Sequence, residues 1–311
     1  MKMQKNSRIF VAGGFRGHLG TAIVRKLQEQ GYTNILSPSP EDLDLRDKSL
    51  VDQWFFENRP EYVFQVAAKL IGLLSQDWGE TILYNLEIQN NLFDISRKYE
   101  CKKLLFTGSS CAYPKLSKNP ITEDQLMSGY LEPTSEAYAV AKIAGIKMVQ
   151  FFRRQWGCDF ITVMPGNLYG PNDTFDDVKS HVMSDFISKF VKAEKNKDEV
   201  VTLWGDGKQV RDFMFVDDAA EACIFCMLNY SDDSPINVSA GDPLDLKTAA
   251  ELVKTISGFQ GDIQWDVTKP TATPVKILDA NKIHALGWRP KYDLSQGLGI
   301  TIEWYKKNKL S

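Results

Sequence analysis

Short, predominantly apolar runs recur along the first half of the chain, separated by polar stretches with helical spacing. Residues 9–12 (IFVA) form the first run and end at paired glycines. Residues 34–36, 62–66, 103–106 and 160–164 repeat the pattern. A strand with one wet face alternates apolar and polar side chains; runs such as 9–12 do not, so both of their faces are covered. Between the first two runs, residues 21–30 place Ala22, Ile23 and Leu27 on one helical face. Strand and helix in alternation predict an α/β fold with a doubly wound parallel sheet over residues 1–171. After Pro171 the rhythm loosens into helices and short strands without repeats. Residues 172–311 are expected to form a smaller α/β substrate lobe, with some segments returning to the first domain.

Composition narrows the classes. The chain has 311 residues, 43% hydrophobic and 25% charged, which suits a globular protein with a large core. Lys plus Arg is 37 against 40 acidic residues, a net charge of −3, so no general nucleic-acid partner is expected. No apolar run reaches the ~18 residues that span a bilayer, and the polar residues 1–8 lack the apolar core of a signal peptide. Five cysteines, an odd number in a long chain, fit a reducing cytoplasm. Cys223 and Cys226 form a C-x-x-C in an apolar helical run without further ligands at zinc spacing, so packing is expected and no metal.

The first chemical motif follows the first strand. Gly14, Phe15, Arg16, Gly17, His18, Leu19 and Gly20 make a G-x-x-G-x-x-G loop that opens a helix. Such glycines let the backbone approach a pyrophosphate, which the helix N-terminus binds through free N–H groups. This is a Rossmann dinucleotide loop. Cofactor type is set after the second strand, where neither an acid nor a base stands clearly: Ser37-Pro38-Ser39-Pro40 precede Glu41 and Asp42. Arg16 is the nearby cation for a 2′-phosphate, so the cofactor is read as NADP (NADPH), with NAD left open.

The second motif is Ser109 together with Tyr138 and Lys142. Residues four apart share a helix face, so the phenol and ammonium enter one site. A neighbouring ammonium is expected to lower the tyrosine pKa from ~10. Ser109 follows the fourth strand, at the carboxyl edge where such sheets bind ligands.

The glycine loop and the Ser/Tyr/Lys set resemble the extended short-chain dehydrogenase/reductase family. Residues 108–116 (GSSCAYPKL), 131–134 (LEPT), 138–145 (YAVAKIAG), 164–171 (MPGNLYGP), 180–182 (SHV) and 211–213 (RDF) are similar to its branch acting on GDP-4-keto-6-deoxy sugars. That resemblance implies 3,5-epimerisation and NADPH-dependent C4 reduction of a GDP-sugar, either a mannose or a heptose. It implies that Cys111 and His181 exchange protons on opposite faces of the sugar. Ser109 and Tyr138 would bond the C4 oxygen while Lys142 supports Tyr138. Ala67, Lys69, Thr107, Pro165, Asn167, Leu168 and His181 would line the cofactor with Tyr138 and Lys142. Lys189, Trp204, Arg211 and Lys269 would hold the GDP end, Arg211 as a diphosphate clamp. The resemblance also implies a homodimer through the helices around residues 138–152, which the apolar Ile143, Ile146, Met148, Val149 and Phe152 permit.

The chain departs from that family at three places: Ser37 or Ser39 stands where a basic residue is usual, Leu70-Ile71-Gly72 stand where Val-Gly-Gly is usual and add a branched side chain, and residues 269–274 (KPTATP) lack an acid and a glycine. A C4 reductase without epimerase activity and a non-catalytic dinucleotide sensor remain as alternative readings. A 4,6-dehydratase would carry Thr-Asp-Glu where Ser110-Cys111-Ala112 stand.

Overall fold

The computed structural model describes residues 3–70, 76–176, 180–269 and 273–310. Ile71, Gly72 and residues 270–272, singled out above, lie outside the described residues. The first half runs β1 (Ile9–Ala12), α1 (His18–Glu29), β2 (Ile35–Leu36), α2 (Lys48–Asn58), β3 (Tyr62–Gln65), α3 (Trp78–Lys98), β4 (Lys103–Thr107), α4 (Glu136–Trp156) and β5 (Phe160–Pro165). It continues through β6 (Asn167–Tyr169), α5 (Val182–Asn196), β7 (Val200–Trp204), β8 (Val210–Phe215), α6 (Val216–Asn229) and β9 (Ile236–Val238). The last elements are β10 (Pro243–Asp245), α7 (Leu246–Ser257), β11 (Asp262–Asp266), β12 (Val275–Lys276), α8 (Asn281–Ala285) and α9 (Leu294–Lys309).

The main sheet has six strands in the order β2-β1-β3-β4-β5-β9, every pair parallel. Alternate side chains explain why the runs are almost wholly apolar. Ile9 and Val11 enter one core with Ile23 and Leu27 of α1 and Ala219 and Cys223 of α6. Phe10 and Ala12 enter the other with Phe55 of α2, Phe93 of α3 and Ile146 of α4. Two segments from the later half, β9 and α6, thus complete the layers of the first. The second lobe is built on β8, which pairs with β6, β10 and β12, beside a parallel β7–β11 pair. Its helices α5, α7 and α9 share the first of the two cores.

Some boundaries differ from the sequence expectation. The helix expected at 21–30 begins at His18, because Gly17 caps it with extended backbone (φ −79°, ψ 147°) inside the glycine loop. The apolar side chains expected to serve a dimer are mostly spent on this chain's own core. Ile146 and Val149 are fully buried, and Ile143, Met148 and Phe152 pack against the same cluster.

Candidate active site

The carboxyl ends of β1, β3, β4 and β5 open into one cavity of about 600 Å³. Its floor is the turn after β1. Gly13 has φ +95°, a conformation open to glycine, and a Cβ at Gly20 would stand 2.1 Å from the Gly13 carbonyl oxygen. The loop therefore closes tightly on itself, and α1 begins without a side-chain cap, leaving first-turn N–H groups for an anion. The buried His18 Nε2, at the cavity wall, has no hydrogen-bond partner among the described residues. A tight glycine cradle, an uncapped helix end and an orphaned polar atom fit a dinucleotide.

Phe15, Arg16, Gly17, His18, Leu19 and Gly20 line this cavity with Ala67, Thr107, Pro165, Asn167 and Leu168. Two residues expected here are elsewhere. A Cβ at Gly14 would meet Ser37, Val24 and Val11, so Gly14 lies beneath the loop rather than in the cavity. Lys69 turns to Asp77 and Glu80, at 2.9 and 2.7 Å. Arg16 stands on the exposed rim, paired with Glu41 at 2.9 Å. Sequence reading missed a second cation at that end: Arg46 lines the cavity, bonds Asp44 at 3.0 and 2.7 Å, and lies 5.0 Å over the Tyr84 ring.

At the opposite end Tyr138, Lys142, Cys111 and His181 meet. Ser109 caps the 3-10 turn Ser110–Ala112, accepting the Cys111 N–H at 3.2 Å. Tyr138 and Lys142 are one turn apart on α4 and both buried. The Lys142 amine donates to the Thr107 carbonyl at 2.7 Å and lies 5.6 Å from the centre of the Tyr138 ring. The expected lowering of the Tyr138 pKa is not found. Burial, aided by Cys111 and opposed by a Ser109 bond, pushes the phenol well above its ordinary range. Burial also lowers Lys142 to about 7, so its charge is too weakly held to draw the phenol down. Tyr138 is a protonated donor in this state.

Cys111 and His181 are polarised oppositely. Burial pushes the Cys111 thiol up, but Lys276, hydrogen bonds with Ser109 and Ser135, and His181 outweigh it and leave the thiol below its usual value. Desolvation pushes His181 down, but the bond and charge of Asp173, with Cys111, outweigh it and raise the imidazole. A lowered thiol beside a raised imidazole is a ready base and acid pair. Lys276 and Asp173 carried no motif signal; only the fold brings them here.

The four residues expected to hold the GDP end lie outside this cavity. Lys189 and Lys269 stand 5.5 and 5.7 Å over the Trp204 ring, and Lys189 also pairs with Asp185 at 2.8 Å. Arg211 does not present a free fork for phosphate: its guanidinium donates to the carbonyls of Thr273 (2.7 Å), Val210 (2.8 Å) and Pro274 (3.4 Å). Burial lowers it to about 10. Cys223 and Cys226 are buried in α6, their thiols pushed up by burial, and no metal-binding cluster occurs among the described residues.

A dinucleotide cradle ending at a buried Tyr/Lys pair defines an enzyme of carbonyl chemistry on a Rossmann fold. The chain belongs to the NAD dependent epimerase/dehydratase family, whose model matches residues 9–241. It is 46% identical over 308 residues to putative GDP-L-fucose synthase 2 of Arabidopsis thaliana, covering 98% of this chain and 94% of that one. Among solved structures, a GDP-6-OMe-4-keto-L-xylo-heptose reductase from C. jejuni superposes with TM-score 0.94 at 33% identity, covering 99% of this chain and 100% of that one. MlghC, a GDP-mannoheptose C4 reductase from Campylobacter jejuni with NADP bound, gives TM-score 0.89 at 35% identity over 98% and 99% of the two chains.

Proposed function

We propose that the protein is an NADPH-dependent 3,5-epimerase/4-reductase of a GDP-4-keto-6-deoxy sugar, a mannose or a heptose. The observation that carries this reading is the oppositely polarised Cys111 and His181 beside the Tyr138/Lys142 pair. The C4 ketone acidifies the protons on C3 and C5. The Cys111 thiolate takes such a proton, and the His181 imidazolium returns one from the other face. Ser109 and Tyr138 donate hydrogen bonds to the C4 oxygen while it carries enolate charge. In the reduction Tyr138 gives its proton to that oxygen, and Lys142 supports the phenolate left behind. Residues 15–20, Ala67, Thr107, Pro165, Asn167 and Leu168 would hold the cofactor, which would supply the hydride when bound. Trp204 with Lys189 and Lys269 would receive the nucleotide end. Arg211 reaches a diphosphate only by releasing residues 273–274.

The homodimer belongs to this reading: Leu83 on α3 and Val140 and Phe151 on α4 are exposed, and a second copy would cover them. So does a cytoplasmic setting, which the five unpaired cysteines suit. No helix among the described residues is long and apolar enough to cross a membrane. Likeness to the two Campylobacter reductases favours a second reading, C4 reduction without epimerisation. Proton NMR in deuterated water with the GDP-4-keto sugar and NADPH separates them. Deuterium at C3 and C5 with cofactor oxidation is expected. Oxidation without deuterium uptake would leave the plain reductase and remove the roles given to Cys111 and His181.

A further inference from the structure

Asp173 lies in the loop after β6, buried to 6% exposure, and no proton transfer described above uses it. Its carboxylate is fully engaged. Oδ1 accepts the Thr174 N–H at 2.8 Å, and Oδ2 accepts the Ser184 hydroxyl. Two histidines from distant parts of the chain converge on the same Oδ1. His18 Nδ1 and His181 Nδ1 each lie 3.5 Å from it. His18 opens α1 within the glycine loop, and His181 is the cap residue of α5. The His181 side chain is 51% exposed, so packing alone does not fix its ring.

We propose that Asp173 is a positioning residue that holds His181 in one tautomer and orientation for proton transfer, and ties it to the cofactor loop through His18. The proposal rests on the epimerase/reductase reading above. An acceptor at Nδ1 keeps the proton there and leaves Nε2 as the atom that meets the sugar. When His181 is charged, the carboxylate stabilises the imidazolium and keeps Nε2–H aimed. His18 shares the oxygen, so a shift of the glycine loop on cofactor binding moves the group that holds His181. The charged and titratable groups facing these rings are few. His18 faces Asp173, His181 and, from α6, Asp217; His181 faces Asp173, Cys111 and His18.

Asp173→Asn keeps the volume and removes the charge. Deuterium exchange at C3 and C5 is expected to fall by ~100-fold, at least tenfold more than NADPH-dependent reduction of the already epimerised ketone falls. The pH profile of exchange shifts with it, since His181 then titrates at lower pH. In the unmutated protein, nitrogen NMR of the three histidines, assigned with His18→Leu and His284→Asn, reads the tautomer directly. His181 is expected as Nδ1–H with a midpoint above 6.5. Exchange and reduction falling together in a folded Asp173→Asn, or His181 found as Nε2–H, would overturn the proposal. Should the variant not fold, the NMR result decides alone. A native enzyme that reduces without exchanging deuterium speaks against the proposed function instead, while the tautomer still tests the role of Asp173.

Discussion

Lys142→Met is expected to make the ligand-free protein more stable and nearly inactive. Lys142 is 3% exposed, and burial lowers its pKa from 10.5 to about 7. Between those values the unfolded chain carries a proton that the folded chain does not, so stability rises with pH through that window. Below pH 7 the lysine costs folding its full amount, roughly 5 kcal/mol at 1.36 kcal/mol per pH unit. Above 10.5 the cost is gone. Methionine fills a similar volume without a charge and forgoes the 2.7 Å bond to Thr107, worth about 1 kcal/mol. The variant should therefore gain roughly 3–4 kcal/mol near neutral pH, and the gain should vanish as pH approaches 10. Denaturant titrations followed by tryptophan fluorescence from pH 6.5 to 9.5, without cofactor, measure this difference. A gap between the two proteins that does not change with pH would refute the reasoning, because nothing but the lysine's titration makes it slope.

Three further outcomes follow from the same geometry. Tyr138→Phe removes the proton donor to C4 and should cut reduction by ~10²–10⁴-fold while NADPH still binds, as cofactor fluorescence would report. With Cys111 as base and His181 as acid, exchange should rise as the thiol deprotonates and fall as the imidazole does. Their displacements, Cys111 down and His181 up, raise the fraction of enzyme that holds thiolate and imidazolium together near neutrality; a profile centred far above pH 8 would contradict the assignment. Gly20→Ala puts a Cβ 2.1 Å from the Gly13 carbonyl and should destabilise by about 1–3 kcal/mol, with cofactor affinity lost first in a titration.

What could be read from the chain follows from where the information lies. β1, β3, β4 and β5 stood out because both of their faces are buried and most of their positions are apolar, Gln65, Lys103, Thr107 and Thr162 being the exceptions. The start of α1 was hidden because glycine, a poor helix former, is what a phosphate-binding cap requires. β9 has three residues and no flanking signal, and only its pairing with β5 reveals it. The reacting residues were legible as motifs, since Tyr138 and Lys142 share a helix turn. Asp173 was not, because its partners stand at 18 and 181, and nothing in a local window links them. The expectation for Tyr138 failed because a residue pair shows proximity, while desolvation depends on everything packed around it.

The return of β9 to the far edge of the main sheet sets the order in which a newly made chain can become native. Until residue 238 has left the ribosome, β5 is an edge strand with its backbone N–H and C=O groups unpaired on one side. Such an edge invites pairing with another nascent chain. The α1 face on which α6 will sit is uncovered over the same interval. The first 171 residues are therefore expected to be aggregation-prone when expressed alone, and to become protected only once β9 has been synthesised.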